Sequence, residues 1–347
     1  MRLGWRGALG IGVSAALLWW ALRGVQLAVV VAHLRAANAW LLGAAVVAAT
    51  LIYPLRARRW RTILSPIVED VPFGPLWRST AIGMMVNSTV PARVGEIARA
   101  YALTREVPAI PFSASFASLA VDRVFDAVVT MLLMLVAVLD PNFPRANEAV
   151  SSRVANTIGV GTILVVVSLG LLYLLLFLPQ RIIGLYERIS RRVAPQFEER
   201  GRDVLLAFAA GLGVLRSPRR FAAVFGWTLA HWLLCGLAFW LGFRALGIRV
   251  GFTAALLVQG VVAVGVAVPQ APGFWGVFEA AAKWALVDIY GVDAGRAVSW
   301  AIGFHVVTFI PITVIGAIYF VRMGLNLRQL RTVEPPRDGE FDPSQAV

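Results

Sequence analysis

A few charged and backbone-breaking residues stand in an otherwise apolar chain, and they set the chemistry open to it. The first group is Val90-Pro91-Ala92-Arg93-Val94-Gly95-Glu96, with Arg99 three residues on. Proline ends a helix because the residue before it avoids the α region. Glycine lets backbone approach closely and take positive φ. A helix restarting beyond such a break offers free N–H groups and a positive dipole end, which suit an anion such as a phosphate. Arg93 stands beside that point. Glu96 is three residues from both Arg93 and Arg99, so the three can share one helical face. The same triplet would also serve as a salt-bridged interfacial face without a ligand.

A second break repeats the pattern. Val268-Pro269-Gln-Ala-Pro272-Gly273 leads through Gly276 to Glu279, with Lys283 four residues further. Each break has Val-Pro, then glycine, then a helix opening with glutamate. Between them lies Asp122-Arg123-Val-Phe-Asp126, in which the two aspartates share a face at i,i+4 and Arg123 lies about 100° away. An ionisable residue deep in an apolar span is expensive, which makes it a functional candidate. The alternative is an Asp–Arg lock to a neighbouring helix. Glu279 and Lys283 have the spacing to pair with each other. His231 and His305 stand alone in apolar runs, as hydrogen-bonded packing residues or as proton carriers. Trp19, Trp20, Trp60, Trp77 and Trp300 read as interfacial or packing aromatics. No DDxxD or DxD carboxylate cluster for Mg²⁺ occurs, and no Walker A loop, so neither a metal nor another cofactor is expected and ATP is not a direct drive.

These residues must be positioned by membrane helices. The chain has 347 residues, 59% hydrophobic and 15% charged, with mean hydropathy +0.75. A soluble domain carries about 25% charged residues, so an ordinary soluble enzyme is excluded, and so is a disordered chain. The net charge of +13 would suggest nucleic acid in a soluble protein. Here it falls in short gaps between apolar runs, as in cytoplasmic loops. All but one of the 32 basic residues are arginine, the exception being Lys283. Lone Cys235 excludes an intrachain disulfide and a Cys-based zinc site.

Apolar stretches long enough to cross a bilayer include 39–55, 124–139 with the turns before it, 157–178 (the clearest, with no charge at all), 221–243 and 297–321. Residues 7–22 read as a retained first helix rather than a cleaved signal. Arg56, Arg58, Arg59 and Arg61 crowd the end of the second span, and nine arginines lie between 181 and 220. About 23 basic residues fall on one side and about 7 on the other, so the rich side, with both termini, is expected to be cytoplasmic. This counting leaves the region from 73 to about 105, and 252–289, each beginning and ending on one side of the membrane. The economical solution is two broken or re-entrant hairpins entering from opposite sides. Non-helical backbone at that depth is allowed only where protein or water covers it. Paired, interrupted segments in two halves point to a transporter site at a repeat interface. The fold expected is therefore all-α: a polytopic transmembrane bundle with an inverted repeat. One domain covers 1–325, with halves at about 1–140 and 157–325. Residues 181–220 form an amphipathic cytoplasmic segment against anionic lipid, and 326–347 a disordered tail.

In order along the chain stand Arg58-Arg59-Trp60, Asn87 with Pro91-Ala-Arg93-Val-Gly-Glu96 and Arg99, Asp122-Arg123 with Asp126, and Pro269 with Pro272-Gly273, Gly276 and Glu279. This set resembles the flippase-like membrane family that includes the N-terminal membrane domain of bacterial lysylphosphatidylglycerol synthases. Ala92 replaces the glycine usual in that family's first motif. The resemblance covers about residues 5–325. It implies an inner-membrane protein that moves, or helps move, a lipid with a charged or glycosylated headgroup between leaflets. It also implies contact with membrane lipids, and with a separate glycosyl- or aminoacyl-transferase, since a synthase domain is not expected in the short stretch after the last span. On this reading Asn87, Pro91, Arg93, Glu96, Arg99, Asp122, Arg123, Asp126, Pro269, Gly273 and Glu279 line the substrate site. Arg93, Arg99 and Arg123 meet phosphate, and Glu96, Asp122 and Glu279 balance them or contact a cationic headgroup. Two other readings stand beside translocation: a membrane-embedded lipid glycosyl- or phosphotransferase, and a non-catalytic scaffold of a cell-envelope complex.

Overall fold

The computed structural model describes residues 5–90, 94–144, 159, 178–193, 195, 198–199, 201–202, 205–206, 217–266 and 272–325, with side chains from residue 12. Pro91, Ala92, Arg93 and Pro269 lie outside the described residues, as do most of the expected 157–178 span, much of the arginine-rich 181–220 segment and the tail. Among the described residues all regular structure is helical. The helices are α1 (Trp5–Leu22), α2 (Leu27–Arg35), α3 (Ala39–Leu64), α4 (Phe73–Thr89), α5 (Gly95–Glu106), α6 (Phe112–Leu139), α7 (Pro179–Val193), α8 (Pro218–Ala245), α9 (Phe252–Gly265), α10 (Val277–Lys283) and α11 (Ala294–Arg322). A 3₁₀ turn, Pro272–Phe274, precedes α10, and a π-helical turn, Trp284–Ile289, continues it.

Helices α3, α8 and α11, with 26, 28 and 29 residues, are long and apolar enough to cross a membrane. At 1.5 Å per residue each exceeds the roughly 30 Å hydrocarbon core. Helices α1 and α2 meet at a bend of 76° and together make a broken span. Helix α6 has 28 residues, but Asp122, Arg123 and Asp126 interrupt its apolar run. Outward-facing Trp40, Leu51, Leu132, Val136, Leu237, Val314 and Val321 are exposed. So much contiguous apolar surface is unfavourable in water and fits a lipid surround.

The expected hairpins are helix pairs. In the first, α4 has 17 residues and α5 only 12. In the second, α9 has 14 residues, and α10 with its π turn runs from Val277 to Ile289. Helix α5 is about 18 Å long and the arms of the second hairpin about 20 Å, short of the hydrocarbon core. In the first hairpin the backbones touch. A Cβ on Gly95 would lie 2.1 Å from the Gly83 carbonyl oxygen, and one on Gly83 2.7 Å from that of Gly95. Close contact between small residues is the usual means of packing helices in lipid.

One core joins the first turns of α3 and the end of α6 to α8, α9, α10 and α11. At its centre Phe239, Phe243, Phe278, Trp300 and Phe304 stack with ring centroids 4.5–6.5 Å apart. A second cluster, of Trp60, Leu64, Leu76, Leu103 and Ile110, holds the first hairpin against the end of α3. Asp140 ties the end of α6 to the start of α9: it accepts the Thr253 hydroxyl at 2.6 Å and the Asn142 N–H at 2.8 Å. These bonds hold its carboxyl below the usual carboxylate range. Helix α11 packs on both hairpins, and the 3₁₀ turn of the second also packs on α4 of the first.

Candidate functional site

The first assembly is built on α3, α5 and α6. Helix α3 continues past residue 55, so Arg56, Arg58, Arg59 and Arg61 are not one loop. Arg56 and Arg59 point inward at 8% and 0% exposure, on the face that also carries Ile52, Trp60 and Ile63. All four stand near the end of α3, as expected, but they do not share one environment. The i,i+3/i+4 spacing divides them, leaving Arg58 and Arg61 on the outer face.

Arg59 sits between the two aspartates of α6, with Nη2 2.5 Å from Asp122 Oδ1 and Nη1 2.6 Å from Asp126 Oδ1. It also donates to the Thr228 hydroxyl at 3.3 Å. Arg56 lies 3.6 Å and Arg99 3.5 Å from Asp122 Oδ2. Asp126 accepts a further bond from Trp232 Nε1 at 2.9 Å. The i,i+4 pair thus shares a face, as the spacing requires, and makes the Asp–Arg lock to a neighbouring helix. Buried charges survive only when paired in this manner.

Arg123 occupies the rim. It is 45% exposed, yet its guanidinium reaches Glu96 at 3.1 Å, Asp126 at 3.3 Å and Asp122 at 3.5 Å. Glu96 is partly exposed and also lies 3.9 Å from Arg99. Arg99 Cζ stands 4.0 Å from the Trp60 ring centroid, a cation–π contact. Trp60 is fixed in turn by donating to the Ser118 hydroxyl at 2.7 Å, which donates to the Ser115 carbonyl at 2.6 Å. Asn87 accepts the Gly95 N–H at 2.9 Å, which satisfies one orphan donor of α5 and closes the hairpin.

Four arginines (Arg56, Arg59, Arg99 and Arg123) therefore share three carboxylates (Glu96, Asp122 and Asp126). Arg99 Nε and Nη2 are buried and meet no hydrogen-bond acceptor among the described residues. The assembly carries one positive charge in excess; the Nε of Arg56 and of Arg59 is likewise without an acceptor, and Glu96 Oε2 is without a donor, among the described residues. Such a set favours a further anionic acceptor, with phosphate geometry well suited to a guanidinium.

The second assembly differs in kind. Gly273 and Gly276 take φ of +67° and +85°, and Phe274 takes +62°. A Cβ at Gly276 would lie 2.0 Å from the Ser14 carbonyl oxygen of α1. Glu279 is fully buried; its Oε2 accepts the Gly276 N–H at 2.7 Å and its Oε1 lies 2.7 Å from His305 Nδ1. Lys283 does not pair with it, contrary to the expectation from spacing. Its ammonium donates to the carbonyls of Ala21 at 2.9 Å and Arg23 at 3.1 Å, at the end of α1, where helix carbonyls lack partners. His305 is not a lone packing residue, since its partner is the buried glutamate. His231 packs edge-on against Trp232 beside the first assembly.

Among the sequence candidates, Glu96, Arg99, Asp122, Arg123 and Asp126 come together. Asn87 sits below them, clamping the hairpin. Gly273 and Glu279 belong to the second assembly. Outside the expected site set are Arg56, Arg59, Trp60 and Trp232 in the first and Gly276, Trp275 and His305 in the second, although Arg59, Trp60 and Gly276 stood in the ordered motifs and His305 was weighed as a proton carrier. The face of α3 carrying Ile52, Arg56, Arg59, Trp60 and Ile63 was the available signal for the first group.

Residues 7–316 match the protein family described as Lysylphosphatidylglycerol synthase TM region. A stretch of 97 residues, 28% of this chain, is 38% identical to the protein named Glycosyltransferase AglD from Haloferax volcanii. That match spans 15% of the length of the archaeal protein.

Proposed function

The chain belongs to the lysylphosphatidylglycerol synthase transmembrane-region family, and from that premise we propose that this integral membrane protein moves a phosphate-bearing lipid headgroup between leaflets. One observation carries the reading: four arginines share three carboxylates beside a helical hairpin too short to span the membrane, and Arg99 keeps two buried donors without acceptors. A lipid phosphate entering past half-exposed Arg123 and Glu96 would supply the missing acceptor and neutralise the excess charge. Arg123 would then exchange Glu96 for the phosphate, leaving Glu96 for a cationic group on the same headgroup. The protein would sit in the cytoplasmic membrane with both termini inside, a reading that the arginine distribution supports. It would act without ATP or metal, alongside a separate transferase that makes or uses the lipid.

The similarity to a glycosyltransferase-named protein favours a second reading, a membrane-embedded transferase or its non-catalytic companion. Leaflet-movement assays in proteoliposomes separate them. Fluorescent anionic, aminoacylated and polyprenyl-phosphate lipids are loaded in turn, with wild type, Arg123→Gln and Glu96→Gln. Movement of phosphate-bearing lipid that drops about tenfold in Arg123→Gln, as expected for one charge-assisted bond, supports translocation at this site. Folded protein that moves none of them overturns it, and metal-dependent turnover of a lipid points to the transferase.

A further inference from the structure

The pair at the second hairpin is a site of its own. Two acceptors cannot face each other at 2.7 Å, so a proton lies between Glu279 Oε1 and His305 Nδ1. The second carboxylate oxygen is taken by the Gly276 N–H. The remaining place for a proton is His305 Nε2. Adding it converts a pair of charge −1 into a neutral imidazolium–carboxylate pair without breaking a bond.

The imidazole is enclosed by rings. Trp275 stacks on it with centroids 4.3 Å apart and planes at 26°, Phe278 lies at 4.5 Å, and Phe309 stands edge-on at 6.0 Å. Aromatic faces stabilise a cation placed over them. Trp275 and Gly276 are part of the turn whose backbone takes positive φ at Gly273, Phe274 and Gly276. Glu279 and His305 thus hold that turn directly, one through the Gly276 N–H and the other through the Trp275 ring.

The other charged groups on the surrounding elements are engaged elsewhere. On α10 and its π turn, Lys283 serves the α1 carbonyls, and Asp288 lies more than two turns from Glu279. Just beyond α1, the Arg23 guanidinium lies over the Trp19 ring. On α11, Asp293 caps the helix start, Arg296 donates to the Gly247 carbonyl, Tyr319 accepts from Trp77, and Arg322 ends the helix. His33 of α2 bonds Ser299, and Arg78 of α4 pairs with Glu106. Helix α9 carries no titratable residue, and those of α8 are Arg219 and Arg220 in its first turn, His231 and Cys235 near the first assembly, and Arg244 over Trp240.

We propose that Glu279 and His305 form a proton-binding site that sets the conformation of the second hairpin and couples a proton gradient to the lipid movement proposed above. Proton binding itself does not rest on the translocation reading; the coupling does.

The stacked tryptophan supplies a direct readout, because an imidazolium quenches an indole stacked on it. Purified protein in detergent is titrated from mildly alkaline to mildly acidic pH. The expected result is a quenching step in wild type that is missing in both His305→Gln and Trp275→Phe. Identical titrations in wild type and Trp275→Phe overturn the site. Trp275→Phe keeps a ring on the imidazole and so tests the site even should His305→Gln fail to fold. In proteoliposomes, a one-unit pH difference should change the wild-type lipid rate by up to about tenfold for one proton per cycle. That response should vanish in Glu279→Gln. A wild-type rate indifferent to the sign of the gradient overturns the coupling alone, whereas no lipid movement under any gradient overturns the translocation reading and leaves the fluorescence result standing.

Discussion

The two broken hairpins open their second helices in the same manner and spend the glutamate there in opposite ways. Glu96 is partly exposed at the rim of an arginine-rich assembly and contacts Arg123 and Arg99. Glu279 is wholly buried, holds its own turn through the Gly276 N–H and meets one histidine in an aromatic enclosure. One hairpin has charges in surplus and donors to spare. The other has a single acid–imidazole pair with both carboxylate oxygens occupied. Like sequences at the two breaks therefore do not make like sites: the neighbouring helices α3 and α6 bring charge to the first, and α11 brings His305 to the second.

The largest effect is expected where the first assembly loses a carboxylate. Asp122→Asn leaves Arg56, Arg59 and Arg99 facing one anion fewer in a buried setting, a cost of about 3–5 kcal/mol. The expected outcome is a lowered thermal midpoint in detergent, or no folded protein. A midpoint near wild type would mean that the cluster is wet and would remove the contrast with the second hairpin. Next comes Gly276→Ala, which forces a Cβ onto the Ser14 carbonyl at positive φ. A destabilisation of about 1–3 kcal/mol is expected, measured by the same melt. An unchanged melt would show that the second turn is not held by α1. The smallest effect belongs to Arg123→Gln. Its pairs are rim pairs, so the melt should move by less than about 1 kcal/mol even where lipid movement falls. A large loss of stability would class Arg123 with Arg59 as part of the lock.

Much of this was readable from residue order, and the failures have physical causes. The helical class, the two breaks and the Asp122/Asp126 face follow from periodicities that a chain cannot hide: apolar run length, Val-Pro followed by glycine, and i,i+4 spacing. The partners were less legible. Lys283 stands in helical register with Glu279, but the unpaired carbonyls at the end of α1 are nearer acceptors in space. Arg56 and Arg59 belong to a run of four arginines that reads as a membrane-surface loop, and only the continuation of α3 turns two of them inward. His305 is 26 residues from Glu279, so no local pattern joins them. Gly83 and Gly95 read as ordinary small residues until the two backbones are seen in contact.

Helix α11 is fastened at two points. His305 engages the second hairpin, and eleven residues on, Gly316 presses its backbone onto the first, where a Cβ would lie 2.3 Å from the Ala81 carbonyl oxygen. The two fastenings are about 16 Å apart along the helix. Between them sits Pro311, which has no N–H to donate and so leaves one rung of the helical ladder open. The helix is thus a connecting rod with a single soft joint. One helix ties both hairpins together, with an open rung between the two fastenings.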